Sequence, residues 1–119
     1  MKTSPASTRP LLLTTLISAA GALVPGTLLG ATAAENWTHH CAKCHGAEGK
    51  GDTKIAQKLK IEDFTNPEVQ KKFTDDQAFD AIKNGLKRDG KTVMNALGKK
   101  LSDEEITEMV SFVRSMCRQ

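Results

Sequence analysis

Five consecutive residues, Cys41-Ala42-Lys43-Cys44-His45, constrain this 119-residue chain more than anything else in it. Two thiols three positions apart fall on one helical turn, and an imidazole follows at once. A zinc site built on Cys-x-x-Cys needs a second ligand pair, and only Cys117 is left, at the end of the chain. A redox pair of the thioredoxin kind belongs in a βαβ pattern, which the chain lacks. A disulfide between Cys41 and Cys44 leaves His45 unexplained. Covalent haem attachment uses all three residues. Each thiol adds across a vinyl group at one edge of a rigid porphyrin, and the imidazole stands beneath the iron. The motif therefore predicts one covalent haem c, with Cys41 and Cys44 as its thioethers and His45 as an axial iron ligand.

The first 34 residues differ in kind from the rest. They contain Lys2 and Arg9 and no acidic side chain, whereas all 14 Asp and Glu lie from Glu35 onward. A positive start, the uncharged run 11–24, a break at Pro25-Gly26 and the small residues 30–34 make the three-part layout of a secretory signal peptide. Cleavage is expected after Ala33 or Ala34, leaving a domain over 35–119. The uncharged run is nominally long enough to span a membrane, but the Pro-Gly break inside it favours cleavage. Export places the domain in a periplasm; a thylakoid lumen, or an uncleaved anchor facing the periplasm, are the alternatives. The exported 85 residues hold 15 basic and 14 acidic side chains, a net charge of +1. Nothing in that balance points to nucleic acid.

Within the domain, a short helix is expected near Glu35, running into the cysteine motif. Gly46, Gly49 and Gly51 mark an irregular loop. Pro67-Glu68 opens a short helix through Lys72. Thr74 and Gln77 have capping-box spacing, and Phe79, Ile82 and Leu86 recur at helical intervals until Asn84-Gly85 weakens the run. Residues 87–101, with two glycines, read as a loop. Ser102 and Glu105 form a second capping box, opening a helix with the apolar face Ile106, Met109, Val110, Val113 and Met116. No strand-like alternation of comparable strength occurs. The expected fold class is all-α.

Residues 33–116 resemble a class I cytochrome c, the small monohaem carriers of bacterial periplasms and related compartments. Cys41, Cys44 and His45 match that family's haem motif. Trp37 and Phe112 stand where it keeps aromatics on its first and last helices. Asp63-Phe64-Thr65 and Gly90-Lys91-Thr92-Val93-Met94 are similar to segments of bacterial members. The resemblance implies about four short helices wrapped around one haem, and an electron carrier rather than an enzyme. It also implies a methionine ligand in the loop before the last helix. Met94, 49 residues beyond His45, fits that place, whereas Met109 and Met116 lie on the apolar stripe. His39 and His40 precede the motif on the same short helix and are expected at the surface. The chain departs from the family twice. Asn95 replaces the proline that often follows the methionine, which weakens the turn holding it. No proline follows the haem motif in 46–66, so a backbone carbonyl between Gly51 and Leu59 is expected to accept the His45 proton.

In related carriers, lysines ring the exposed haem edge and steer docking onto acidic partners, and this domain holds twelve lysines. The partners implied are redox proteins: a respiratory or photosynthetic membrane complex, or a terminal reductase, oxidase or peroxidase. Membrane contact is transient unless 11–34 stay uncleaved. A monomer is expected, with Cys117 either inert or able to link a dimer. Aromatics make up only 4% of the chain, so the haem would be the largest apolar object in the core. Trp37, Leu59, Phe64, Phe79, Leu97, Leu101 and Val110 are expected to pack on or near it. The leading expectation is a soluble electron shuttle with His45/Met94 ligation. The competing one is a haem-based binder or sensor of small gases, which needs a labile Met94 and an open site beside Asn95.

Overall fold

The computed structural model describes residues 30–118. Most of the expected signal segment, residues 1–29, lies outside them. Helix α1 (Ala33–His40) is opened by Thr32, whose hydroxyl accepts from the Glu35 N–H while the Glu35 carboxylate accepts from the Thr32 N–H at 2.7 Å. This reciprocal cap starts the helix two residues ahead of the sequence expectation. Both expected cleavage bonds consequently lie in its first turn. A break at Cys41 separates α1 from the single turn α2 (Ala42–His45).

Helix α3 (Lys54–Leu59) was not expected from the sequence. Thr53 opens it by accepting from the Ala56 N–H at 2.9 Å, and its hydroxyl donates to the Cys44 carbonyl at 2.6 Å. Helix α4 (Pro67–Gln70) begins at the expected proline and stops two residues short. Helices α5 (Asp75–Asn84) and α6 (Asp103–Ser115) start at the two predicted capping boxes, and a 3-10 turn (Met116–Arg118) follows α6. The whole predicted stripe of α6, continued by Met116, is buried. Helix α6 packs across α1 and α5, with Trp37 and Phe112 5.9 Å apart at the first crossing. Among the described residues, no helix is long and apolar enough to cross a membrane.

The all-α expectation needs one correction. Strands β1 (Leu86–Arg88) and β2 (Lys91–Met94) form an antiparallel hairpin where a loop was predicted. Asp89 and Gly90 carry it round with φ of 50° and 74°, the left-handed pair that an Asp-Gly turn supplies. The strands lack alternation because every residue from 86 to 92 is exposed. Leu86, expected to extend the stripe of α5, is 46% exposed on β1. The register then slips: Leu86 pairs with Met94 but Lys87 with Thr92, leaving Val93 as the extra residue of a bulge. Strict alternation would send neighbours to opposite faces. Here Val93 and Met94 are both half-buried.

Candidate functional site

Two cavities meet at the cysteine motif. One, almost wholly apolar, is lined by Trp37, Cys41, His45, Phe64, Phe73 and Met94 with residues of α5 and α6. The other, of mixed polarity, lies among His39, Cys41, Cys44, His45, Leu59 and the segment 93–97. Cys41, His45 and Met94 line both, and Cys44 borders the second. The four expected site residues therefore border two neighbouring cavities that have Cys41, His45 and Met94 in common.

Burial lowers the His45 pKa and keeps the imidazole neutral, the form that offers a lone pair to a metal. Burial, with the neighbouring Cys44 as a smaller cause, pushes the Cys41 thiol up to about 11. A redox dithiol needs the opposite shift. All three cysteines are free, and among the described residues no three His, Cys, Asp or Glu side chains gather into a protein-only metal site. Two unpaired thiols, a neutral imidazole and a thioether around a largely apolar space fit a covalently held haem.

The His45 end is held by rings. Trp37 Nε1 donates to the Gly46 and Ala47 carbonyls at 3.1 and 3.0 Å, fastening the chain directly after His45. The His45 ring lies 5.8 Å from Trp37 and is stacked on Phe64 at 5.1 Å. The carbonyl expected between Gly51 and Leu59 is not there: His45 Nδ1 is buried without a hydrogen-bond partner. Within that stretch the Thr53 and Ala56 carbonyls accept from backbone N–H groups of α3 and the residues after it, and the Leu59 carbonyl accepts from Arg88 at 3.0 Å.

Behind Phe64, the buried Gln70 donates through Nε2 to the carbonyls of Phe64 and Val113 at 2.7 and 2.8 Å. Arg114 donates to Gln70 Oε1 at 3.0 Å and to the Phe73 carbonyl at 2.8 Å, and its guanidinium lies 4.5 Å from the Phe73 ring. The sequence offers no sign of this brace, because Val113 and Arg114 lie 41 to 44 residues from the Gln70 and Phe73 groups they bind.

The Met94 end is held by backbone. Gly85 adopts φ 78°, and a Cβ there would fall 2.5 Å from the Met94 carbonyl oxygen. The Leu97 and Gly98 N–H groups donate to the Ile82 and Lys83 carbonyls at 2.9 and 3.0 Å. The end of α5 thus supplies restraint where the chain has Asn95 instead of proline. Asn95 is exposed and borders the second cavity.

Of the residues expected to pack on a haem, Trp37, Leu59, Phe64 and Leu97 line a cavity, whereas Phe79, Leu101 and Val110 pack in the core beyond it. Phe73, Gln77, Ala78, Ala81 and Ile82 are lining residues that sequence reasoning missed. Helical spacing from the Thr74 cap could have found the α5 members. His39 is exposed and His40 partly so, both beside the second cavity. Cys117 is half-buried, donates to the Arg114 carbonyl at 3.4 Å, and lines neither cavity.

A family profile described as cytochrome C oxidase, cbb3-type, subunit III matches residues 29–113. The chain belongs to that family and is a small c-type cytochrome. The cytochrome is similar to the solved structure of KustC0563 c-type cytochrome, at 27% identity and a TM-score of 0.63, over 72% of this chain and 98% of that one. It is also similar to a tyrosine-to-phenylalanine variant of Kustc0563, at 26% identity and a TM-score of 0.60, over 72% and 99%. The comparison with curated proteins gives no match. Membership of the c-type cytochromes brings covalently bound haem and haem-based electron transfer.

Proposed function

We propose that this cytochrome is an exported carrier of single electrons. It holds one haem c through Cys41 and Cys44, and His45 and Met94 are the axial ligands. The observation behind this reading is the gathering of both thiols, a neutral imidazole and a half-buried thioether around two neighbouring cavities. The haem supplies an iron that gains and loses one electron. His45 offers a lone pair because burial keeps it unprotonated. Met94 would fill the remaining position, so that the ligand set would be the same in both oxidation states. A thioether paired with an imidazole raises the reduction potential over two imidazoles. The apolar walls of the first cavity would disfavour water beside the metal.

His39, His40, Lys60, Arg88 and Lys100 stand around the second cavity without an acidic residue among its lining. That rim suits an acidic redox partner, and the family's name points to a respiratory complex as the source of one. The layout of residues 1–34 favours the periplasm. The chain acts in this reading as carrier, with substrate chemistry left to its partners.

The oxidised protein is expected to show the near-infrared charge-transfer band of a methionine–iron bond, and Met94→Ala to abolish it. A native protein that lacks the band and binds carbon monoxide rapidly when reduced is a gas binder instead, and the carrier reading fails.

A further inference from the structure

An iron-ligating imidazole ordinarily donates its other N–H to a fixed acceptor, which sets the ring's rotation and strengthens it as a ligand. His45 Nδ1 is buried and has no acceptor among the described residues. A buried N–H left unpaired is costly and leaves the ring's rotation unset, so the ring must be kept in place by something else. Phe64 lies against it with centroids 5.1 Å apart and planes 21° from parallel, while Trp37 closes in at 5.8 Å and 47°. Phe64 is itself pinned at both backbone groups. Its N–H donates to the Gly49 carbonyl at 2.8 Å, and its carbonyl accepts from Gln70 at 2.7 Å. Asp63 folds onto the Thr65 N–H and hydroxyl at 2.8 and 2.6 Å, holding both neighbours. Phe73 meets the ring edge-on at 6.0 Å.

We propose that Phe64 is the positioning residue of the iron-ligating histidine, its stacked ring setting the rotation of the His45 imidazole where a hydrogen bond at Nδ1 is missing. This rests on the reading of His45 as an iron ligand. The stack fixes the angle of the imidazole plane without drawing on the Nδ1 proton. An imidazole with that proton unshared gives the iron less electron density than a hydrogen-bonded one, which favours the reduced state.

The test uses the intact haem-bound protein. In the oxidised state, the order of the haem-methyl proton shifts follows the orientation of the axial imidazole plane. Phe64→Leu is expected to reorder those shifts while the spectrum stays low-spin and histidine-ligated. Phe64→Tyr, which keeps a ring, is expected to retain the native order. In the reduced, diamagnetic native protein, isotope-labelled histidine is expected to place the His45 Nδ1 proton upfield of hydrogen-bonded imidazole protons. An unchanged methyl order in Phe64→Leu, or an Nδ1 proton far downfield, overturns the positioning role and leaves the ligand assignment standing. If Phe64→Leu does not hold haem, the Nδ1 measurement on the native protein decides, with Phe64→Tyr as its control. A native protein without a histidine-ligated spectrum defeats the ligand assignment and this proposal together.

Discussion

The two ends of the site are built by different means. The His45 end is a packed block of rings on short helical turns, with Trp37, Phe64 and Phe73 braced by Gln70 and Arg114. The Met94 end hangs on a hairpin whose other residues are largely exposed, fastened where the chain runs past the end of α5. Packed rings resist displacement through many contacts at once. A hairpin fastened at its base resists through a few backbone bonds. Under the proposed ligation, exchange therefore belongs to Met94, and His45 stays with the iron.

The largest effect comes from removing what both ends are built around. Cys41→Ala with Cys44→Ala is expected to leave a chain without haem and without a cooperative fold, seen as loss of helical circular dichroism. A sharp thermal transition in that double variant would show that the ring block stands by itself. Next is Gly85→Ala, which puts a side chain at φ 78° and against the Met94 carbonyl. It is expected to destabilise by about 1–3 kcal/mol, to weaken the methionine–iron band, and to speed carbon monoxide binding. An undisturbed band would mean that Met94 is not held from Gly85.

Gln70→Leu probes the opposite end. It strips the Phe64 and Val113 carbonyls of a donor and should cost about 1–3 kcal/mol in denaturant unfolding, with the methionine band intact. Loss of that band would erase the distinction between the ends. The smallest effect lies outside both. Hydrogen bonds from the Ser102 backbone N–H and then from the Asn36 side chain hold the Glu105 carboxyl below its ordinary value of 4.5. Its folded pKa is the lower one, so its contribution is full above pH 4.5 and fades as pH falls through the folded value. Glu105→Gln keeps the cap and should flatten that part of the acid-unfolding profile, without moving either ligand's spectrum.

Much of the scaffold was legible because helix starts are local. Thr74 with Gln77 and Ser102 with Glu105 announce α5 and α6 within four residues, and the stripe of α6 needs only its own spacing. Thr32 is as good a cap, but it lies among small residues that also read as a cleavage site. The hairpin had one local signal, Asp89-Gly90; with both strands in water, no alternation supported it. The site divides in the same way. Cys41, Cys44, His45 and Met94 stand out by their chemistry. The Phe64 stack and the Gln70–Arg114 brace arise from contacts across the folded chain, and such contacts leave no period to read.

Trp37 is the chain's one tryptophan, and there is no tyrosine. Its indole sits at the wall of the apolar cavity, one ring away from His45. A porphyrin there would drain the excited indole before it could emit. The protein therefore carries its own lamp: dark once the haem is captured, and lit in chains that never received one or have opened. Maturation could be followed by ultraviolet fluorescence alone, with no label attached.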